Sequence, residues 1–386
     1  MPEKSFWAGT VELAPGVHLP FQMYLDLEGK KAGYFLVGEE KTPIPEVESA
    51  PSQVALKFSE YGAEMHGDWN GGGLTGDYMR IRSTGTKSFK FTAAPERQPQ
   101  PAERVDIAPA GNYQVDETTV ARLWKKDGGA YGTFIATDGD YGLLAGRLAG
   151  RGVQFNRFTG WQAISIILGP AWNGTLQGKY YAAANDKPQE LVLRPRSDLN
   201  LELPAAQQTV MKDSGAGFSF SGVSLDGATV RNTDERFKGK ALILDIMGTW
   251  CHNCLDEAPL LEQLQREYGK DGLEIVGLSF EINADPVLAK KNLQLFKDRF
   301  GLTYTLLFCG SLDDENVKAK IQGQLEHFFA YPTTVFLDKS HQVQFIHSGF
   351  NGPGTGDRFQ AQQGEFRDLV NKLGLYNVAA ESKPIK

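Results

Sequence analysis

The first two hundred residues alternate. Runs such as 21–27 (FQMYLDL), 33–37 (GYFLV), 54–58 (VALKF) and 161–167 (WQAISII) are separated by stretches rich in Gly, Asn and Asp. Period-two alternation between turn residues predicts antiparallel strands, and no long helical stripe interrupts them. This half also repeats itself. Ala8-Gly9-Thr10 recurs as Ala110-Gly111-Asn112, Gly33-Tyr34-Phe35 as Gly132-Thr133-Phe134, and residues 73–78 as 175–180, at offsets of 102, 99 and 102. A common offset predicts two β units, 1–97 and 104–197, joined by the Pro- and Gln-rich residues 97–104. They form either two small sandwiches or barrels, or two halves of one larger sheet structure.

Residues 198–211 read as a linker, and beyond them the pattern changes. Residues 241–247 and 273–279 are apolar runs of buried-strand length, while Ala258, Leu261, Leu264 and Tyr268 mark one face of a helix between them. Asp285-Pro286 is an N-cap followed by proline at the first helical position, and the helix it opens carries Leu288, Leu293, Phe296 and Phe300. Strands are expected at 303–308, 333–337 and 343–347, with helices over 315–328 and 357–373. The order β-α-β-α-β-α-β-β-α implies a mixed sheet with helices on both faces. The fold class is therefore multi-domain: an all-β half, then an α/β domain over 212–376 and a tail at 377–386.

The chain has 386 residues, 41% hydrophobic and 23% charged, with a formal net charge of -7. That is the composition of a folded chain, and no segment concentrates Lys and Arg, so nucleic acid is not an expected partner. No apolar run approaches the roughly 20 residues of a membrane-spanning helix. The start, MPEKSFWAGT, has neither the basic nor the apolar region of a signal peptide.

Three cysteines do not make a disulfide-stapled scaffold. They leave one C-x-x-C pair, Cys251 and Cys254, and the single Cys309. The pair directly follows a buried strand and opens a helix. Orphan amides and the dipole at a helix N-terminus stabilise an anion, so a Cys251 thiolate should form below the free value of about 8.5. Such a thiolate attacks a disulfide, and Cys254, one turn further in, resolves the mixed disulfide. A zinc site would need a second such pair or histidines at ligand spacing, which the six histidines do not offer. A permanent structural disulfide and two inert buried cysteines stay open as bland alternatives. No cofactor and no metal are expected.

Trp250-Cys251-x-x-Cys254, Pro259 five residues beyond, and Tyr331-Pro332-Thr333 before a late strand resemble the thioredoxin superfamily. Phe237-Lys-Gly-Lys240, Glu257-Ala-Pro259 and Gly349-Phe-Asn-Gly-Pro-Gly-Thr-Gly356 place the resemblance nearer its TlpA-like branch of envelope-facing thiol–disulfide reductases. It covers roughly residues 212–376. It implies a thioredoxin fold, with Cys251 attacking, Cys254 resolving and Pro332 as the cis-proline beside the pair. Tyr331 then offers backbone to a substrate strand. Glu257 matches the acidic group kept near the pair, and Asp245 the buried aspartate of thioredoxin; a desolvated carboxylate there can accept the Cys254 proton. Trp250 covers the site, and His252 and Asn253 between the cysteines tune the potential. Implied partners are disulfide-bonded protein substrates and an upstream thiol donor. The implied location is the periplasm or cell envelope, while the residues themselves leave the cytoplasm open.

Other signals are weaker. Cys309 reads as a small buried hydrophobe. Gly71-x-Gly73-x-x-Gly76 satisfies a dinucleotide fingerprint but lies among strands and opens no helix. Trp69, Trp172 and Phe158 are candidates for a ligand groove, with plain packing the commoner role. Two rival functions remain: a ligand-binding β half on a redox-inert domain, and a thiol peroxidase. The latter is disfavoured because Gly248, not Thr, stands three residues before Cys251.

Overall fold

A computed structural model describes residues 1–29, 31–82, 85–101, 103–201 and 207–375, with the side chain of Val317 left aside. The expected tail 377–386 lies outside this set, as do residues 202–206 of the expected linker. The described residues fall into two compact units: Met1–Ala136 with Tyr141–Leu201, and Thr137–Asp140 with those beyond 201.

The first unit is built on two antiparallel sheets. Alternation decides which way each strand faces: in Val17–Asp26, Leu19, Phe21, Met23 and Leu25 are buried and the residues between them less so. In the first sheet every strand but Glu40–Pro43 pairs with the next in sequence, and the first, Lys4–Ala14, also pairs with the last, Gly85–Glu96. Only the gap between the edge strands Glu40–Pro43 and Glu46–Ala50 keeps it from closing. The second sheet follows the same order from Gly111–Gln114 to Gln189–Arg196. It does close, because Thr119–Lys126 pairs with Gly129–Ala136 and the latter with Leu144–Ala149. The matched sequence segments fall on equivalent strands: the first, third and eighth of each sheet.

The second unit is a seven-stranded sheet. Its strands are β1 (Ser221–Ser224), β2 (Thr229–Arg231), β3 (Ala241–Met247), β4 (Leu273–Glu281), β5 (Thr305–Ser311), β6 (Thr333–Leu337) and β7 (Val343–Ser348), in the order β2-β1-β5-β4-β3-β6-β7. The helices are α1 (His252–Tyr268), α2 (Pro286–Phe300), α3 (Glu315–Ile321) and α4 (Asp357–Lys372). The central strands β3, β4 and β5 run parallel, and β6 returns antiparallel to β3. Every residue of β3 is buried, which is why it reads as a continuous apolar run.

The structure departs from the sequence reading at four places. The hairpin β1–β2 was not expected. β4 runs two residues beyond 279, and the strand expected at 303–308 lies at Thr305–Ser311. The helix expected over 315–328 stops at Ile321. There Gln324 is drawn off to Ser219, accepting its N–H (2.9 Å) and donating to its carbonyl (2.7 Å). Leu325–Glu326 then pairs with Val210–Met211, and Leu325 is buried. A tertiary strand pairing has outweighed helix propensity.

Candidate active site

Cys251 is the N-cap of α1, and its sulfur fills the place of a capping oxygen by accepting the Cys254 N–H at 3.2 Å. Cys251 and Cys254 are joined as a disulfide, their Cα atoms 5.2 Å apart. Cys251 is 5% exposed and Cys254 1%, so both are buried and the first is the less enclosed. Tyr331-Pro332 is a cis peptide, and the Tyr331 carbonyl oxygen lies 3.3 Å from the Cys251 sulfur.

Aromatic rings wall the pair. Trp250 meets Tyr331 edge to face at 5.3 Å and donates its indole N–H to the Phe280 carbonyl at 2.7 Å. Phe328 packs edge-on against the same Tyr331. His252 turns along the helix, with its Nε2 3.4 Å from Asp256. Asn253 donates its amide to the Asp138 carbonyl at 3.0 Å, within the same unit.

Asp245 and Glu257 come together beneath this surface. Asp245 is central in β3, opposite Thr334 of β6. Glu257 is one turn along α1 from Cys254, on the same helix face, and accepts the Thr334 hydroxyl at 2.7 Å. Both carboxyls are at most 1% exposed, and they lie close enough for the charge of Asp245 to act on Glu257. Burial pushes the Asp245 carboxyl up to about 8. Burial, then the Asp245 charge, pushes Glu257 well above its ordinary range.

All nine residues read from the sequence are thus in this unit; Tyr331 touches the Cys251 sulfur, Trp250 packs on Tyr331, and Glu257 lies one turn beyond Cys254 with Asp245 close by. His252 and Asn253 face neighbours other than the sulfurs. Sequence reasoning missed Glu281, a buried carboxyl at the end of β4 that binds the loop before Cys251. The only signal was a charged residue ending the apolar run LEIVGLSFE. Cys309 is buried in β5, its sulfur 3.8 Å from the Leu307 carbonyl, and burial pushes its thiol up.

In the first unit a cavity of about 940 Å³ is floored by Phe21, Leu74, Ala93 and Phe158. Of the three expected groove residues only Phe158 lines it. Trp69 packs edge-on against Trp7, and Trp172 is 82% exposed on a turn. The glycines at 71–76 form a hairpin turn and lead into a strand, so no helix is available to face a pyrophosphate. Among the described residues no cluster of three or more His, Cys, Asp or Glu side chains could hold a metal ion, and no helix is long and apolar enough to cross a membrane.

Residues 215–346 match the AhpC/TSA family. The chain is 34% identical over 125 residues to the thiol–disulfide oxidoreductase ResA of Geobacillus thermodenitrificans, covering 32% of this chain and 63% of that protein. It spans about three-fifths of the length of such curated relatives. A solved thiol:disulfide interchange protein from Chlorobium tepidum overlaps 41% of this chain and 94% of its own, at 23% identity and a TM-score of 0.32. A thioredoxin from Mycolicibacterium smegmatis is 33% identical over 89 residues, 20% of this chain and 79% of that one. With a C-x-x-C pair capping the helix after a buried parallel strand, and a cis-proline beside it, this chain belongs to the thioredoxin family.

Proposed function

We propose that the chain is a thiol–disulfide oxidoreductase that reduces disulfide-bonded protein substrates, with its β half as a binding or positioning module. The observation that carries this is the Cys251–Cys254 pair at the head of α1, with the buried Glu257 one turn further along the helix and the buried Asp245 close to it. In the reduced enzyme the Cys251 thiolate attacks a substrate disulfide. A mixed disulfide forms and the first substrate sulfur leaves as a thiolate. Cys254 gives its proton to the Asp245–Glu257 pair and attacks the Cys251 sulfur, releasing the second substrate thiolate and closing the disulfide. Two electrons pass to the substrate, and an upstream thiol donor returns them. The name of ResA supports this reading, and the cavity in the first unit supports a binding role for that half. The TlpA-like resemblance favours work in the cell envelope or periplasm.

Insulin reduction with dithiothreitol as donor tests it. The wild type should accelerate precipitation of the insulin B chain, and Cys251→Ser should not exceed the uncatalysed rate. Equal behaviour of the two would leave the redox-inert binding protein as the better reading. The AhpC/TSA match favours a second reading, a thiol peroxidase; Cys251-dependent consumption of hydrogen peroxide, without insulin reduction, would select it.

A further inference from the structure

Glu281 closes β4 with a side chain only 1% exposed. Its two oxygens are fully engaged. One accepts the Thr249 backbone N–H at 3.1 Å and the Ser279 hydroxyl; the other accepts the Thr249 hydroxyl at 2.6 Å. The strand end that carries it is itself pinned, since Leu312 N–H donates to the Glu281 carbonyl at 2.8 Å. The preceding residue, Phe280, holds the Trp250 indole through its own carbonyl. The turn then closes with Cys251 N–H on the Gly248 carbonyl at 3.0 Å. Two consecutive residues of β4 therefore fix two consecutive residues of the loop, and the next residue is the attacking cysteine.

We propose that Glu281 is a positioning residue for the thiol of Cys251, holding the Thr249–Trp250 backbone so that the sulfur stays on the amides of α1. This rests on the oxidoreductase reading. The physical reason is that a thiolate gains from amide N–H groups only within hydrogen-bond reach. A loop free to drift withdraws that stabilisation although both cysteines remain. A carboxyl that accepts a backbone N–H fixes a peptide plane, which side-chain packing alone does not. Thr249 is the relay, because it offers Glu281 both a backbone and a side-chain donor.

The measurement is the pH profile of Cys251 alkylation in the reduced full-length chain, followed at the level of the Cys251 peptide. Glu281→Ala should slow alkylation at pH 7 about tenfold, moving the profile up by about one pH unit. Glu281→Gln should stay within about twofold of wild type, because its amide oxygen still accepts the Thr249 N–H. Should the alanine variant fail to fold, Thr249→Val, which removes only the hydroxyl donor, should move the profile in the same direction by a smaller step. A folded alanine variant with the wild-type profile would overturn the proposal, as would an unchanged valine variant if the alanine one does not fold. A downward move in Glu281→Gln or Glu281→Ala would also overturn it, since that is the sign expected from deleting a nearby negative charge. A wild-type Cys251 that titrates like free cysteine would instead remove the oxidoreductase reading, and this proposal with it.

Discussion

Two carboxyl groups lie buried close together, one on β3 and one on α1, and water cannot solvate either. Asp245 and Glu257 are each raised above the ordinary carboxylate range by burial. The sign of the stability effect follows. In the unfolded chain these groups lose their protons near pH 4, whereas the folded chain keeps protons there until about pH 8 for Asp245. Their contribution to stability is therefore fully present below about pH 4 and is lost as pH rises through the folded value. Asp245→Asn removes the group that must ionise while keeping its size and shape. Its urea midpoint at pH 8 should exceed that of the wild type, and the difference should shrink towards pH 5. A variant less stable than wild type at pH 8 would contradict the ionisation argument. In the proposed mechanism the same substitution removes one of the two carboxyls that take the Cys254 proton, so insulin reduction should slow about tenfold or more. The resemblance to the thioredoxin superfamily made each carboxylate a candidate. Their contact was not legible, because nothing in residue spacing says that Thr334, on a strand some ninety residues later, would bring β6 against both.

At the scale of elements, the strand–turn–helix that carries the pair was readable. An unbroken apolar run, the Gly248 turn and an amphipathic helix are local signals, and local signals survive folding. Partners distant in sequence were not readable. Glu281 looked like the polar end of a strand, and the helix at 315–328 was overestimated because its rival was a strand pairing with residues 210–211. Gly248 illustrates a local residue with a non-local reason. A Cβ there would collide with the Trp250 indole nitrogen and lie 2.8 Å from the Phe280 carbonyl, so the indole can reach that carbonyl only across a missing side chain. Gly248→Ala should cost about 1–3 kcal/mol, the usual range for overpacking, and should break the indole hydrogen bond. Thermal unfolding should show the loss. Trp250 is half-buried, and its displacement should shift tryptophan emission to the red relative to wild type, measured by difference because five other tryptophans contribute. Unchanged emission and melting would mean that the loop adjusts without using the glycine.

The β half raises a question about the whole molecule: whether a repeated sequence folds as two things or one. The repeat was legible at three short matches, and the strand order bears it out, because both sheets run in chain order and pair their first strand with their last. Sequence left open whether the units stand apart, since the contacts that decide it join residues about 80 to 140 positions distant. Phe158 of the second sheet is 2% exposed, with its ring centroid 5.1 Å from Phe21, 5.0 Å from Phe35 and 5.2 Å from Tyr78, all in the first sheet. Beside it Arg157, 1% exposed, holds both oxygens of Glu40 at 2.8 and 2.9 Å. A large buried aromatic and a bidentate ion pair that both cross between sheets couple the two repeats energetically. Phe158→Ala should therefore cost about 3–5 kcal/mol, as such core truncations do, and the loss should not stay in the second sheet. Hydrogen exchange reads the distinction directly. If the sheets open as one cooperative unit, amides of Val17–Asp26 and Ala32–Val37 should lose protection together with those of Gly152–Phe158. Loss confined to Gly152–Phe158 and its ladder neighbours would show two independently stable repeats, and the shared aromatic cluster would then be a contact between domains rather than a common core.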